Sequence, residues 1–332
     1  MSTPESFRSA LGPVVERYLA LRQALGRDCY SERRVFVGLD RFLARVAAGD
    51  DLTGEAFAQW CLARAHLRSG VRRQHMRVVR NLCLYRRRTE PRCFVPDITQ
   101  FPAEHQRVRP HIFSEAEIGA LLRTALALQP SPGSLLRPRT LHLAIVLLYT
   151  SGLRRREAVR LTVGDYDPVE RTLLVRASKF HKSRMLPLSP DASDAVEAYL
   201  DARRALGVVP AATSPLLWHT TGRRRGYSGG GLGGGLRALF GLAGVRTAAG
   251  PPPRVHDLRH TFAVHALLRW YRAGADVQAK LPYLATYMGH VSVVSTEYYL
   301  HFVEAVAGHA SDRFASRCSA LLNVVHLTGG NP

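Results

Sequence analysis

One tyrosine and five basic residues in the C-terminal half of the chain could together carry out chemistry on a phosphodiester. The set comprises Arg154, Lys179, His256, Arg259, His290 and Tyr299. Two guanidiniums, two imidazoles and an ammonium can neutralise a phosphodiester while a phenol attacks it. A guanidinium suits this task because its planar fork donates two parallel hydrogen bonds and stays charged at any working pH. The residue types therefore indicate transfer of a phosphodiester onto a tyrosine.

Each of these residues lies in a recognisable local sequence. Arg154 lies in SGLRRRE, Lys179 in ASKFHKSRMLPL, and the last two residues in MGHVSVVSTEYYLH. His256 and Arg259 belong to HDLRHTFA and are three positions apart, so on a helix they project from one face. A lone HxxR pattern is common, whereas the longer string is much more specific.

Two weaker patterns suggest other chemistry. His256 and His260 are four positions apart and could place two imidazoles on a metal ion, but the glutamate of HExxH and a clear third ligand are missing. We therefore predict no metal site. The stretch Gly226–Gly235 formally contains GxGxxG, yet it follows a run of arginines rather than an apolar strand. For this stretch we predict a flexible loop beside a basic patch in which Arg223 and Arg224 face DNA.

The charge balance of the chain points to a polyanionic partner. Its 332 residues include 46 lysines and arginines against 26 acidic residues, a formal net charge of +20. Such a positive field is typical of proteins that bind nucleic acid or anionic membranes. No apolar run approaches the roughly 20 residues that span a bilayer, and MSTPESFRSALG does not have the pattern of a signal peptide. We therefore expect a cytoplasmic protein that does not bind membranes.

The first hundred residues show the three-to-four periodicity of amphipathic helices. Arginine is frequent in the second half of this region, and Arg73, Arg77 and Arg80 are spaced to share one helical face. A solvated arginine face would explain this spacing by itself, but the charge of the whole chain favours a surface that follows DNA phosphates. The arginines assigned to this surface are Arg72, Arg73, Arg77, Arg80, Arg86 and Arg87.

The length of the chain favours two domains, since domains usually have about 100 to 200 residues. Prolines collect between Pro91 and Pro110, where the periodicity stops. We predict a helical domain over residues 1–105, a linker to about residue 110, and a second domain over residues 111–332. Near the start of the second domain, Ser114 and Glu117 form the pattern of a capping box.

The second domain combines helical periodicity with two short strands. Helices are predicted at Leu141–Tyr149 and Asp191–Leu206, and strands at Thr172–Arg176 and Met185–Leu188. The polar segment Ser178–Arg184 would connect the two strands. The fold class is therefore mainly α with a small β-sheet.

Taken together, the motifs resemble the active site of the tyrosine recombinase family, which includes phage integrases and Xer-type recombinases. The resemblance implies a helical, SAM-like DNA-binding domain followed by an α+β catalytic domain, which close around duplex DNA as a C-shaped clamp. Arg155 and Arg156 depart from the family, which often has Ile-Ser-like residues at these positions. The glycine-rich stretch also falls where the family leads us to expect the start of a DNA-facing helix.

The resemblance implies a role for each basic residue. Arg154 and Arg259 clamp the phosphate, and Glu157 orients Arg154. Lys179 lies on the turn between the strands and protonates the leaving 5′ oxygen. Lys182 competes for this role; we prefer Lys179, and Lys182 is placed to contact the DNA backbone from the tip of the turn.

The nucleophile follows from the spacing of the last motif. Tyr299 comes nine residues after His290, as the nucleophile does in the family, and the adjacent Tyr298 is then a packing residue. His256 and His290 accept or share protons and hydrogen-bond to the nonbridging oxygens. The product is a 3′-phosphotyrosyl linkage with a free 5′ hydroxyl. Because this linkage conserves the energy of the phosphodiester, the resemblance implies no ATP, metal or other cofactor.

The implied function is site-specific DNA recombination for the integration, excision or transposition of a mobile element. Its partners are double-stranded DNA and further copies of the chain, four protomers on two DNA sites, with sister recombinases or accessory proteins as additional candidates. The TEYYLH ending resembles recombinases of transposons and integrative elements. Two alternatives stay open: a type IB topoisomerase-like enzyme that relaxes DNA, and a non-catalytic DNA-binding protein that has kept the fold.

Overall fold

The fold is known from a computed structural model that describes residues 7–46, 51–103, 109–131, 133–176, 183–219, 226–290 and 292–302. The chain divides into two compact units, Met1–Val108 and Arg109–Pro332. Four of the candidate DNA-contacting or catalytic residues lie outside the described residues: Lys179, Lys182, Arg223 and Arg224. Within the described ranges no helix is long and apolar enough to cross a membrane.

The described part of the first unit is helical, as the periodicity predicted. Its helices are α1 (Gly12–Ala24), α2 (Tyr30–Val46), α3 (Gly54–Leu62) and α4 (Ser69–Arg86). The side chains of Tyr18, Phe36, Trp60 and Leu82 are buried between the helices. Thr53 caps α3 by accepting a hydrogen bond from the backbone amide of Ala56 at 3.1 Å.

Several arginines of α4 make contacts inside the first unit. Arg73 donates to the carbonyl of Pro102 at 2.7 Å, and Arg80 donates to the carbonyl of Pro96. Arg86 forms ion pairs with Asp51 and Glu90. The proline-rich segment, expected as a linker, therefore packs on α4 as far as residue 102. By contrast, Arg77 and Arg87 are exposed.

The second unit combines eight α-helices with a small sheet in its described part. The helices are α5 (Glu115–Ala127), α6 (Arg137–Thr150), α7 (Arg155–Ala158), α8 (Pro190–Ala205), α9 (Gly229–Leu242), α10 (Asp257–Arg272), α11 (Val277–Met288) and α12 (Val294–Glu297). A 3₁₀ turn, Tyr298–Phe302, follows α12. Ser114 and Glu117 form the predicted capping box at the start of α5. The mainly helical fold class is confirmed.

The sheet has three antiparallel strands, β1 (Tyr166–Asp167), β2 (Thr172–Val175) and β3 (Arg184–Pro187), in the order β1-β2-β3. The sequence predicted β2 and β3 but not the two-residue β1. Thr172 pairs with Pro187, and Val175 pairs with Arg184. The segment that contains Lys179 and Lys182 in the sequence therefore connects two paired strands.

Helix α6 forms the centre of the second unit. Leu141, Leu143, Ile145 and Leu147 are all fully buried, although they point in different directions around the helix. A helix that is apolar on all sides must be covered on all sides, and α5, α8 and α10 all pack against α6. The end of α6 is thereby held in a fixed position before Gly152 and Arg154.

The glycine-rich stretch is a helix from Gly229 onward, so the prediction of a flexible loop was wrong. Ser228 caps α9 by accepting from the backbone amide of Gly231 at 3.0 Å, and Leu232 and Leu236 are fully buried. Packing therefore overrides the weak helix propensity of glycine. A Cβ on Gly233 would lie 2.3 Å from Nη1 of Arg155, which shows how closely that guanidinium lies against the helix.

A substitution in α9 should make the protein more stable. A Cβ at Gly234 would meet nothing within 4 Å, so Gly234→Ala should raise the free energy of unfolding by about 0.5–1 kcal/mol through higher helix propensity. Urea denaturation followed by circular dichroism measures this change. Gly233→Ala is the matched control, because its Cβ must displace Arg155. An equal or larger gain at Gly233 would contradict the expectation that the Arg155 guanidinium opposes a Cβ at this position.

Candidate active site

Arg154 is placed by a sharp change of chain direction between α6 and α7. Gly152 has a φ of +58°, and Arg154 is the N-cap residue of α7. The backbone amide of Arg154 donates to Oε2 of Glu157 at 2.9 Å, and Nη1 donates to Oε1 at 2.8 Å. Nη2 donates to the carbonyl of Gly289 at 2.8 Å. The guanidinium is thus fixed at two edges while a quarter of the side chain stays exposed.

Glu157 lies between two guanidiniums. Its side chain is 7% exposed, and on the side opposite Arg154 it accepts hydrogen bonds from Nη1 and Nη2 of Arg184 at 3.2 and 2.9 Å. Burial by itself would raise the pKa of Glu157, but the hydrogen bonds from Arg184 and Arg154 lower this pKa to about 2. Glu157 is therefore a carboxylate at any working pH.

Arg184 was not identified from the sequence. It is the first residue of β3, and it also donates from Nε to the carbonyl of Tyr287 at 2.8 Å. The available signal was its place in ASKFHKSRMLPL, directly before the apolar strand residues. That signal does not distinguish an arginine that turns inward from one that contacts DNA.

Arg259 lies in the first turn of α10 and is 1% exposed. Its Nη1 donates to the carbonyl of Gly152, and its Nη2 donates to the carbonyl of Met288 at 2.7 Å. Burial and the nearby charge of Arg154 lower the pKa of Arg259 to about 10. A group with this pKa still carries its positive charge at neutral pH.

Three backbone carbonyls, those of Gly152, Met288 and Gly289, form what we call the carbonyl cradle. Two of them belong to the C-terminal end of α11, where the helix dipole is negative and favours cations. Gly289 ends α11 with a φ of +68°, a conformation that glycine adopts without strain. The cradle holds the guanidiniums of Arg154 and Arg259 beside each other, directly before His290.

His290 and Tyr299 lie next to each other after the cradle. Nδ1 of His290 is 2.8 Å from Oγ1 of the buried Thr296. The rings of His290 and Tyr299 are stacked, with centroids 6.1 Å apart and planes inclined by 16°. Burial, and then the charges of Arg259 and Arg154, lower the pKa of His290 to about 3. This imidazole is therefore neutral at pH 7.

Tyr299 is 3% exposed. Burial raises the pKa of its phenol above 10, while the charges of Arg259 and Arg154 and hydrogen bonding to Arg259 act in the opposite direction. Tyr298 is only half-buried, with its ring centroid 5.9 Å from that of Tyr299. The buried tyrosine and the two clamped guanidiniums thus share one site.

His256 and His260 complete the site at the start of α10. Their rings meet edge to face with centroids 4.8 Å apart, and the His260 centroid lies 5.4 Å from that of Tyr299. Desolvation of the ring and the charge of Arg259 lower the pKa of His256 to about 4, although part of the residue is exposed. The sequence gave no sign that His260 contacts Tyr299. The described residues contain no group of three or more His, Cys, Asp or Glu side chains that could hold a metal ion.

The structure brings five of the six candidate catalytic residues together, along with Glu157. They are Arg154, His256, Arg259, His290 and Tyr299. Lys179 is the sixth and lies outside the described residues. The arginines of α4 belong to the other unit.

The histidines of the site should make stability depend on pH. The pKa values of His256, His260 and His290 are lowered to about 4, 4 and 3, so the unfolded chain binds more protons as the pH falls below about 6.5. Stability should be full above that pH and decrease toward pH 5, by about 1 kcal/mol each for the half-buried His260 and His290. Urea midpoints at pH 7.5 and 5 measure this decrease. His290→Asn should reduce it, and equal midpoints in the parent chain would contradict the prediction.

Comparison with known proteins places the chain in a family. The model of the phage integrase family matches residues 115–305, more than half of the chain. The chain is 33% identical to the putative integrase/recombinase y4rB of Sinorhizobium fredii (strain NBRC 101917 / NGR234), over 88% of this chain and 93% of that protein. It is 32% identical to the tyrosine recombinase XerD of Brucella abortus biovar 1 (strain 9-941), over 61% of this chain and 62% of that protein.

Two solved structures have a similar fold. One is the XerH site-specific recombinase bound to palindromic difH substrate in a post-cleavage complex, with a TM-score of 0.61 and 16% identity over 85% of this chain and 78% of that one. The other is the Tn1549 transposon integrase in complex with transposon right end DNA, with a TM-score of 0.59 and 18% identity over 91% of this chain and 99% of that one.

The chain therefore belongs to the phage integrase family, and the resemblance seen in its motifs is confirmed. It is a DNA strand breaking and rejoining enzyme of the tyrosine recombinase type, and its membership of this family supports site-specific recombination as its activity.

Proposed function

We propose that this recombinase cuts DNA by attack of Tyr299 on the scissile phosphate, which leaves a 3′-phosphotyrosyl linkage and a free 5′ hydroxyl. Arg154 and Arg259 hold the nonbridging oxygens. Lys179 donates a proton to the leaving 5′ oxygen, an assignment that depends on its position in the sequence alone. Resealing on a second strand reverses the same steps and completes the exchange.

The carbonyl cradle is the observation that supports this mechanism. Its three carbonyls anchor Arg154 and Arg259 through one or two N–H groups of each guanidinium, and a guanidinium carries five N–H groups. Donors fixed before the substrate arrives need little reorganisation when charge develops in the transition state. A buried phenol beside two such cations suits attack on a phosphodiester better than a structural role.

The two histidines have complementary tasks in the proposed reaction. Lowered pKa values of about 4 and 3 keep His256 and His290 neutral at pH 7, so each imidazole can donate a hydrogen bond to a nonbridging oxygen. The negative charge of a bound phosphate raises these pKa values again, which allows an imidazole to accept the phenolic proton. His290 is held by Thr296 and stacks on Tyr299. Of the two imidazoles, we therefore assign His290 to the contact that lies closer to the phenol of Tyr299.

We further propose that the partner is double-stranded DNA and that the active assembly contains several copies of the chain, four in the complete synaptic complex. The first unit would bind DNA through α4, with the exposed Arg77 and Arg87 contacting phosphates. Relatives of similar fold are known in complex with DNA. The biological role would be integration, excision or transposition of a mobile element, with sister recombinases or accessory proteins where an element requires them.

The proposed chemistry can be tested with nicked suicide duplexes that tile the DNA flanking the gene. A nick beside the scissile phosphate lets a short 5′-hydroxyl fragment leave, so the covalent adduct accumulates. We expect an SDS-resistant adduct on one or a few duplexes, and mass spectrometry should place the 3′-phosphate on Tyr299. The absence of an adduct on the whole set, or attachment to a 5′-phosphate, would overturn the mechanism.

A plasmid with two copies of the reactive site separates recombination from DNA relaxation. A recombinase should produce two circles or an inverted segment, depending on the orientation of the sites. Relaxed topoisomers without rearranged products would indicate the topoisomerase-like activity instead.

A further inference from the structure

Arg184 joins parts of the active site that are far apart in the sequence. It pairs with Val175 at the end of the β2–β3 hairpin, and its side chain is 11% exposed. It bridges Glu157, which is 27 positions away, to the carbonyl of Tyr287, which is 103 positions away. Both groups are next to the phosphate clamp, our name for the guanidiniums of Arg154 and Arg259. Glu157 contacts Arg154, and Tyr287 lies in the last turn of α11 before the carbonyl cradle.

The charges in this cluster give Arg184 a task beyond packing. Glu157 lies 2.8 Å from Nη1 of Arg154, and a carboxylate at that distance would offset the positive charge that a phosphate must meet. Arg184 contacts the same carboxylate from the other side. The three side chains together therefore keep one net positive charge, and Glu157 can orient Arg154 without neutralising it.

The contacts of Arg184 also limit how the cluster can move. A Cβ on Gly289 would lie 2.8 Å from Nη1 of Arg184, so the guanidinium occupies the space beside this glycine. Gly289 supplies a cradle carbonyl to Arg154 and precedes His290. The start of β3 and the end of α11 are thus held in one arrangement beside the guanidinium of Arg154.

We propose that Arg184 is a positioning residue for the cleavage step. It offsets the charge of Glu157 and fixes that carboxylate, so that Arg154 presents an oriented and uncompensated guanidinium to the scissile phosphate. This inference rests on the proposed function. The sequence motifs assigned no role to this arginine.

The first test measures the single-turnover rate of adduct formation on the reactive nicked duplex, with the protein at saturating concentration. Arg184→Met should slow the reaction by about 30- to 100-fold, the equivalent of one or two charge-assisted hydrogen bonds. The Kd for the duplex should change by less than about 3-fold, because Arg184 is too buried to follow the DNA backbone. Arg184→Lys keeps the positive charge but lacks the planar guanidinium fork, so its rate of adduct formation should lie between those of the parent chain and Arg184→Met. It serves as the second variant if Arg184→Met does not fold.

A charge-balanced double variant separates positioning from simple packing. Replacing Glu157 by Gln in the Arg184→Met background removes the carboxylate that would otherwise offset Arg154. We expect Glu157→Gln/Arg184→Met to react about 10-fold faster than Arg184→Met alone, a gain of roughly 1.4 kcal/mol in transition-state stabilisation. If both residues served only as packing, the double variant would be as slow as the single variant or slower, and the proposal would be overturned.

Arg203→Met is the matched control. Arg203 is also a buried arginine of the second unit, and it donates to the carbonyl of Pro215 at 2.8 Å and to Oγ of Ser214 at 3.0 Å. Its replacement should lower Tm without changing the adduct rate of the folded protein. Normal adduct formation by Arg184→Met would overturn the inference and leave the proposed function intact. A parent chain that forms no adduct would overturn both.

Discussion

Tyr299→Phe should abolish the covalent adduct with nicked duplex DNA, whereas Tyr298→Phe should form it at nearly the parent rate. The substitution at Tyr299 removes only the phenolic oxygen, which is the atom expected to become bonded to phosphorus. We expect no adduct above the detection limit of the assay. No other change of a single atom in the site should have so large an effect.

The packing around Tyr299 makes this test clean. The ring is 3% exposed and contacts the rings of His260 and His290, and phenylalanine can keep these contacts. The nearby guanidiniums are anchored on backbone carbonyls, so they should keep their positions when the phenolic oxygen is removed. The affinity for duplex DNA should therefore be retained in a gel-shift assay, and only the covalent step should be lost.

The result at Tyr298 carries equal weight. Tyr298 is half-buried and directly precedes Tyr299, and a 3₁₀ turn points neighbouring side chains in different directions. An adduct that persists in Tyr299→Phe and disappears in Tyr298→Phe would show that Tyr298 is the nucleophile. Loss in both variants would instead indicate that the turn as a whole must keep its shape.

The clamp residues could be predicted from the sequence because each has a charged side chain in a characteristic string. What holds them could not be predicted. Arg154 donates to the carbonyl of Gly289, which is 135 positions away, and Arg259 donates to the carbonyl of Gly152, which is 107 positions away. A backbone carbonyl exists at every residue, so no pattern of side chains indicates which carbonyls will meet in the fold. The role of Arg184 was hidden in part for the same reason, because one of its partners is the carbonyl of Tyr287, which is 103 positions away.

The helical elements show where local patterns succeed and fail. The capping box at Ser114 is encoded in four consecutive residues, and the structure contains it as expected. Helix α9 begins with seven residues of which six are glycine, and local propensity therefore opposed a helix. Burial of Leu232, Leu236 and Phe240 supplies the missing stability. That contribution comes from the rest of the unit and is invisible within the segment.

Gly152→Ala should be strongly destabilising, because two separate effects act at one position. The φ of +58° is in the left-handed region, where a Cβ costs about 1–2 kcal/mol. The new Cβ would also lie 2.5 Å from Cδ1 of Phe262, and such overpacking costs about 1–3 kcal/mol. We expect the free energy of unfolding to fall by about 2–5 kcal/mol, as measured by urea denaturation. The carbonyl of Gly152 accepts from Arg259, so adduct formation should decrease as well.

Gly207→Ala separates the two contributions. Gly207 also has a left-handed backbone, with a φ of +73°, but a Cβ there would meet nothing within 4 Å. Gly207→Ala should therefore lower the free energy of unfolding by only about 1 kcal/mol, which is the cost of the backbone strain alone. Adding Phe262→Leu to Gly152→Ala should restore part of the lost stability, because the smaller side chain can move away from the new Cβ. Equal losses at the two glycines would show that the contact with Phe262 is relieved easily. The position of Gly152, and with it the anchoring of Arg259, would then depend on backbone conformation alone.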